Sequence, residues 1–360
     1  MYRINNFNPG PAALPLEVLN QAQDTFIAYR NGMSIMEMSH RSKDVEQLFV
    51  ETQQILLELL GLNSKYQVLF MSGGASMQFA MVPMNLLSPK RNGSYILSGS
   101  FSEKAYKEAQ TIGNATIAAS SQSQNWSTLP AMRDVSVDPE AAYIHITTNN
   151  TIEGSQFRDF PSVNSVPLIG DMTSDLLSRQ LAFNKFSMFY ASAQKNLGPA
   201  GATVVVIHED LLKACVNTTP TILNYKTYAQ NNSLYNTPPV HSIYMMKLVL
   251  EWVNRQGGIA EIEKRNIQKA NLLYDVIDRS GDYYKGIIEK PFRSMMNITW
   301  RMNDEKLEKL FVQESELHGF DGLAGHRSVG GLRASAYNAV PYQACKDLAE
   351  FMLDFQKRYG

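Results

Sequence analysis

Cysteine is nearly absent: Cys215 and Cys345 are the only two in 360 residues, far apart and in no CxxC pair. That excludes a disulfide scaffold and a thiolate zinc site, fits a reducing compartment, and leaves both thiols as buried packing residues, with no metal centre expected. Long apolar runs are missing too. The longest aliphatic stretch is Val204 to Ile207 and the first ten residues are polar. Neither a signal-peptide core nor a membrane span is expected, and the cytoplasm is the expected location. Net charge is also lacking, since 33 basic residues against 34 acidic ones leave −1. No bulk field draws in nucleic acid or an anionic membrane, so the expected partners are small molecules or further copies of the chain. The GxxxxGK[ST] of a nucleotide P-loop and the GxGxxG of a dinucleotide site do not occur.

What is present is a chain longer than one core usually supports, so one large and one smaller domain are expected. Through the first 210 residues short apolar runs alternate with helical patterns, the mark of an α/β fold with a largely parallel sheet. Seven strands are expected, at 67–71, 94–97, 115–119, 142–147, 166–169, 186–190 and 202–207. Val45, Leu48, Phe49, Thr52, Leu56, Leu59 and Leu60 trace one helical face that stops at Gly61. A further helical pattern covers 77–87, and Ser100 with Glu103 has the spacing of a capping box for a helix reaching Ile112. Beyond Gln256-Gly257-Gly258 the pattern changes to a long helix on Ile259, Ile262, Ala270, Leu273 and Ile277, a strand at 295–300, and helices at 304–318 and 341–358. The division expected is a large domain over 16–257, with a smaller α/β domain formed by 1–15 and 258–360.

Lys195 is a lone basic residue among the small and uncharged neighbours of Tyr190-Ala191-Ser192-Ala193-Gln194-Lys195-Asn196-Leu197-Gly198-Pro199-Ala200-Gly201. A lysine that attacks carbonyls must be partly desolvated so that its neutral form is reachable near pH 7. A surface-loop lysine is the other reading of this segment taken alone. Ser72-Gly73-Gly74-Ala75-Ser76 stands between a strand and a helical pattern, so its N–H groups converge on a point that suits a phosphate; a tight turn needs the same residues. Asp171 follows the apolar run 166–170. It is either a helix cap or a buried anion that holds a proton on a ring nitrogen. Phe101 falls at a helix start beside a strand end. A strand-end aspartate, an anion loop, an aromatic at a helix start and a lysine before a Gly-Pro turn together make the parts of a pyridoxal 5'-phosphate site.

With these parts assembled the sequence resembles the fold-type I, class V aminotransferases, and within them the phosphoserine aminotransferase family. The similarity runs nearly end to end, through Asn6-Phe7-Asn8-Pro9-Gly10-Pro11-Ala12, Met38-Ser39-His40-Arg41-Ser42, Gly73-Gly74-Ala75-Ser76, Asn150-Thr151-Ile152-Glu153-Gly154, Asp171-Met172-Thr173-Ser174 and Tyr235-Asn236-Thr237-Pro238-Pro239 to Gly325-His326-Arg327-Ser328-Val329-Gly330-Gly331-Leu332-Arg333-Ala334-Ser335. The last stretch is the most family-specific.

The resemblance implies that Lys195 carries pyridoxal phosphate and moves a proton at the substrate's Cα, that Asp171 keeps the ring nitrogen protonated, and that Phe101 stacks on the ring. It implies Thr151 at the phenolic oxygen, and Ala75, Ser76, Gln194, Asn236 and Thr237 around the cofactor phosphate. The last two reach in from a second subunit, so a homodimer with shared sites follows. Arg333 is implied for the α-carboxylate, while His40, Arg41, His326 and Arg327 take the distal phosphate or the side-chain carboxylate of glutamate. The implied reaction moves an amino group between L-glutamate and 3-phosphohydroxypyruvate, giving O-phospho-L-serine and 2-oxoglutarate, and the family also uses a phosphorylated four-carbon oxo acid. Three positions depart from the family: Phe101 where many members have Trp, Ser76 where many have Arg, and Pro9 where some have Ser. Two rival functions remain open at this stage. A cysteine desulfurase needs a nucleophilic thiol, and an anion-binding scaffold needs no chemistry at all.

Overall fold

Alternate residues of the first apolar run face opposite sides of one sheet: in Tyr66–Ser72 (β1), Val68 and Phe70 enter one apolar cluster and Leu69 and Met71 another. The computed structural model describes residues 3–30, 32–162 and 166–360. Together with Gly93–Leu97 (β2), Ala115–Ser120 (β3), Tyr143–Thr147 (β4), Leu168–Asp171 (β5), Met188–Ser192 (β6) and Ala202–His208 (β7), β1 forms a seven-stranded sheet of order β1-β7-β6-β5-β4-β2-β3. β7 runs antiparallel to β1 and β6; the other neighbours are parallel. The α/β architecture with one wide, mostly parallel sheet is therefore the one expected.

Several boundaries differ from the sequence reading, each for a local reason. The strand expected at 166–169 occupies Leu168–Asp171, because Pro167 has no N–H for the ladder while Thr147 and Tyr190 pair with Asp171. The strand expected at 186–190 is Met188–Ser192, since Phe186 closes a 3-10 turn by donating its N–H to Phe183 O at 3.0 Å. The strand expected at 295–300 is Asn297–Met302 (labelled β9 below), because Ser294 Oγ accepts the N–H groups of Met296 and Asn297. Apolar runs locate a strand, but hydrogen bonds of its polar flanks set the register.

Helices cover both faces of the sheet. Lys43–Leu60 (α1) begins with Ser42 Oγ accepting from Val45 N–H and ends at Gly61, whose φ of +63° is left-handed. Its buried face joins the cluster that also holds Val240–Arg255 (α4, below). Ala75–Leu86 (α2), which starts two residues before the expected Met77, and Ser100–Ile112 (α3) line the opposite face through Phe79, Val82, Ala105 and Ala109. The capping box expected from Ser100 and Glu103 is not formed. Ser102 Oγ instead accepts from Ser98 and Gly99 N–H, Ser100 Oγ donates to Glu153, and Glu103 pairs with Lys107.

The C-terminal part follows α4 (Val240–Arg255) with Gly258–Arg279 (α5), the strands Tyr284–Gly286 (β8), Asn297–Met302 (β9) and Leu332–Ser335 (β10), and the helices Glu305–Leu317 (α6) and Tyr342–Tyr359 (α7). β8, β9 and β10 make an antiparallel sheet around Trp300, Phe311 and Phe355, and Phe7 and Ala13 from the N-terminus enter the same cluster. Lys269 is buried on α5 and forms no salt bridge among the described residues; its ammonium donates to Ala336 O, Tyr337 O and Val340 O at 2.6–3.1 Å, clamping the turn before α7.

Candidate active site

In this sheet the strand order reverses between β2 and β4, the place where an α/β sheet opens a crevice at its carboxyl edge. Phe101 follows β2, Thr151 follows β4, Asp171 ends β5, and Lys195 follows β6. A cavity of about 280 Å³ opens there, and Phe101, Thr151, Asp171, Lys195, His326 and Arg333 all line it. Ala75, Ser76 and Gln194 border the same space.

Lys195 is buried, and its Nζ donates to Thr151 Oγ1 at 2.6 Å and stands 5.6 Å from the centre of the Phe101 ring. Burial pushes its amine down to about 8, with the Arg333 charge adding to the effect and the Asp171 charge opposing it. About one amine in ten is then neutral at pH 7, against about one in three thousand for an ordinary lysine. Attachment of pyridoxal phosphate to protein stripped of cofactor should therefore accelerate as pH rises to about 8 and level off above about 9. Stopped-flow absorbance would read this; a rate still climbing at pH 10 would mean a solvated lysine.

Asp171 is buried at the strand end, where its Oδ1 accepts from Thr173 N–H at 3.0 Å. Burial raises its carboxyl above the usual range, against the Thr173 hydrogen bonds and the Lys195 charge that pull it down. A protonated ring nitrogen would supply a further counter-charge to a carboxylate so placed. Arg333 is buried too. Its Nη1 donates to Thr151 O at 3.2 Å while its Nε has no acceptor, so the guanidinium still wants an anion. The first N–H groups of α2, at Ala75 and Ser76, lie at a helix N-terminus without intrahelical acceptors, the setting for a phosphate. Thr203 Oγ1 steadies that loop by donating to Gly73 O at 2.9 Å. Amine, carboxylate, aromatic face and phosphate cradle surround one space, and this donor set fits pyridoxal phosphate.

The remaining expected residues lie elsewhere in a single chain. His40 and Thr237 line a second cavity of about 410 Å³, Asn236 is half-buried beside it, and Arg41 and Arg327 are exposed. His326 reaches the Lys195 cavity, with Nδ1 2.6 Å from Ser328 Oγ. Burial and the nearby Arg333, Lys104 and Arg327 charges lower its pKa, which favours the neutral ring.

Sequence reasoning gave no role to Gly10, Thr173 or Glu153. Gly10 has φ +138°, and a Cβ there would lie 3.5 Å from Lys195 Cγ. Thr173 was detectable as the second residue after an aspartate, the spacing of an Asx turn. Glu153 carries no such local signal. Both thiols are buried and pushed up to about 11 by that burial, so neither is the nucleophile a desulfurase needs.

The family model described as aminotransferase class-V matches residues 4–346. The chain is 54% identical over 359 residues to the phosphoserine aminotransferase of Niallia circulans, covering 99% of each. Among solved structures it is similar to the phosphoserine aminotransferase of Bacillus circulans subsp. alkalophilus, with TM-score 0.98, 53% identity and 99% of each chain covered. It is also similar to the PLP-bound phosphoserine aminotransferase of Trichomonas vaginalis, with TM-score 0.92 and 34% identity over 98% of this chain and 100% of the other.

Proposed function

Because the chain belongs to the class-V aminotransferase family, we propose that it is a pyridoxal-phosphate enzyme that exchanges an amino group between L-glutamate and 3-phosphohydroxypyruvate, giving O-phospho-L-serine and 2-oxoglutarate. The observation that carries this reading is the linkage of Lys195 Nζ to Thr151 Oγ1 and of Thr151 O to Arg333 Nη1 inside one cavity that Asp171 also lines. One buried threonine thus joins the reactive amine to the residue that takes the carboxylate.

Pyridoxal phosphate supplies an aldehyde for the amino group and a ring that accepts the electron pair released at Cα. Lys195 holds the cofactor and then, with a pKa near neutrality, takes the proton from Cα and returns it. Asp171 keeps a proton on the ring nitrogen, Phe101 covers the ring face and excludes water, Thr151 orients the amine, and Ala75, Ser76 and Gln194 take the phosphate. Arg333 binds the α-carboxylate in bidentate fashion. We assign the large domain to 16–257 and the small one to 1–15 with 258–360, so the cavity lies where the two meet.

In this reading Asn236 and Thr237 complete the phosphate cradle from a second copy, while His40, Arg41, His326 and Arg327 take the distal phosphate or the side-chain carboxylate of glutamate. Two features support a homodimer. His40 and Thr237 share one cavity, and exposed Met36 lines it while exposed Phe26 packs edge-on against His241 of the same wall. Exposed apolar residues of this kind, gathered round polar site residues, mark an interface. A biosynthetic enzyme of this type acts in the cytoplasm; among the described residues no helix is long and apolar enough to cross a membrane.

A coupled assay of phosphoserine against serine as amino donor to 2-oxoglutarate tests the reaction and the phosphate selectivity together. Phosphoserine should be preferred by about a hundredfold or more. Arg327→Ala should reduce kcat/KM for phosphoserine about ten- to a hundredfold and leave serine within about threefold. Equal losses for both donors would remove Arg327 from the phosphate pocket.

A further inference from the structure

Glu153 sits in the turn after β4 and is buried; it forms no salt bridge among the described residues, although the Arg333 charge acts on it. Its Oε1 accepts twice from Ser100, from N–H at 2.8 Å and from the hydroxyl at 2.6 Å, while its Oε2 has no partner. Ser100 is the first residue of α3, and Phe101 is the next. On the other side, Thr151 lies two residues before Glu153 and carries both the Lys195 and the Arg333 contacts. Thr299 Oγ1 of β9 donates to Glu153 O at 2.7 Å, which anchors the same turn to the C-terminal sheet. The backbone around the carboxylate leaves it no second place: a Cβ on Gly99 would come within 2.5 Å of Oε2 and 2.9 Å of Asn150 Oδ1.

A buried carboxylate with one orphaned oxygen costs stability. What it offers in return is a fixed distance between two separate loops. We propose that Glu153 is a positioning residue: through Ser100 it sets the start of α3, and so the Phe101 ring, against Thr151 and Lys195. It touches neither cofactor nor substrate. The inference rests on the cavity holding pyridoxal phosphate, not on phosphoserine being the donor.

The test uses the cofactor-loaded enzyme and three variants, Glu153→Ala, Glu153→Gln and Ser100→Ala. Visible circular dichroism reports the orientation of the bound ring, and kcat and KM are measured with phosphoserine and 2-oxoglutarate. Glu153→Ala should lower kcat at least about tenfold with KM changed less than about threefold, and should halve the visible dichroism. Glu153→Gln keeps an acceptor oxygen for Ser100 and should restore kcat and dichroism to within about threefold of the parent. Ser100→Ala removes one of the two donors and should fall between. Parental dichroism and kcat in a folded Glu153→Ala would overturn the proposal, as would a Glu153→Gln as impaired as the alanine variant. Should Glu153→Ala not fold, parental values in Ser100→Ala would overturn it equally. A parent enzyme with no visible dichroism after loading would instead remove the cofactor reading on which the proposal rests.

Discussion

Lys195→Ala is expected to abolish turnover, with kcat reduced by at least about four orders of magnitude, roughly 5.5 kcal/mol of barrier. The size follows from one amine having two duties. Among the described residues it is the only lysine lining the cavity, it is held by Thr151, and burial brings it to about 8, so no neighbour replaces it as cofactor anchor or as proton carrier at Cα. Borohydride treatment followed by peptide mass mapping should fix cofactor to residue 195 in the parent and to nothing in the variant. Activity within about tenfold of the parent would mean that another amine carries the cofactor. The fold should tolerate the change, because the variant removes a buried cation whose one side-chain hydrogen bond among the described residues is to Thr151.

Asp171→Asn is expected to lower kcat by about a hundred- to a thousandfold, or about 2.7 to 4 kcal/mol, while pyridoxal phosphate still binds. Without the anion the ring nitrogen loses its proton, and the electron pair from Cα loses its sink. Stability should move the other way. Burial raises the folded pKa of Asp171, so in cofactor-free protein the unfolded chain releases its proton first as pH rises. The burial cost is absent well below the ordinary carboxylate range, grows as pH passes through the raised value, and is present in full above it. Cofactor-free Asp171→Asn should therefore melt at or above the parent temperature at pH 7, with the gap vanishing at acid pH. A lower melting temperature for the variant at pH 7 would mean that Asp171 is paired in the cofactor-free state. Scanning calorimetry at two pH values decides this.

The sheet was legible because its strands are short apolar runs between helical patterns, and helix ends at Gly61 and near Gly257 carry their own stop signals. Lys195 and Asp171 were legible for a related reason: a charge beside a buried strand stands out against apolar neighbours. What could not be read were contacts between distant segments. Ser100 looked like a helix cap by spacing, yet its hydroxyl serves a carboxylate 53 residues away. Nor does sequence alone disclose that His40 and Thr237 line one cavity and Arg333 another, since that depends on how loops after different strands come together.

The walls of the site come from Gly10, Phe101, Thr151, Asp171, Lys195 and Arg333, a span that takes in nearly the whole polypeptide. During synthesis the substrate carboxylate cannot be held until the ribosome has released position 333. Substrate therefore favours only the finished protein, and by mass action it draws late folding intermediates toward completion without rewarding truncated products.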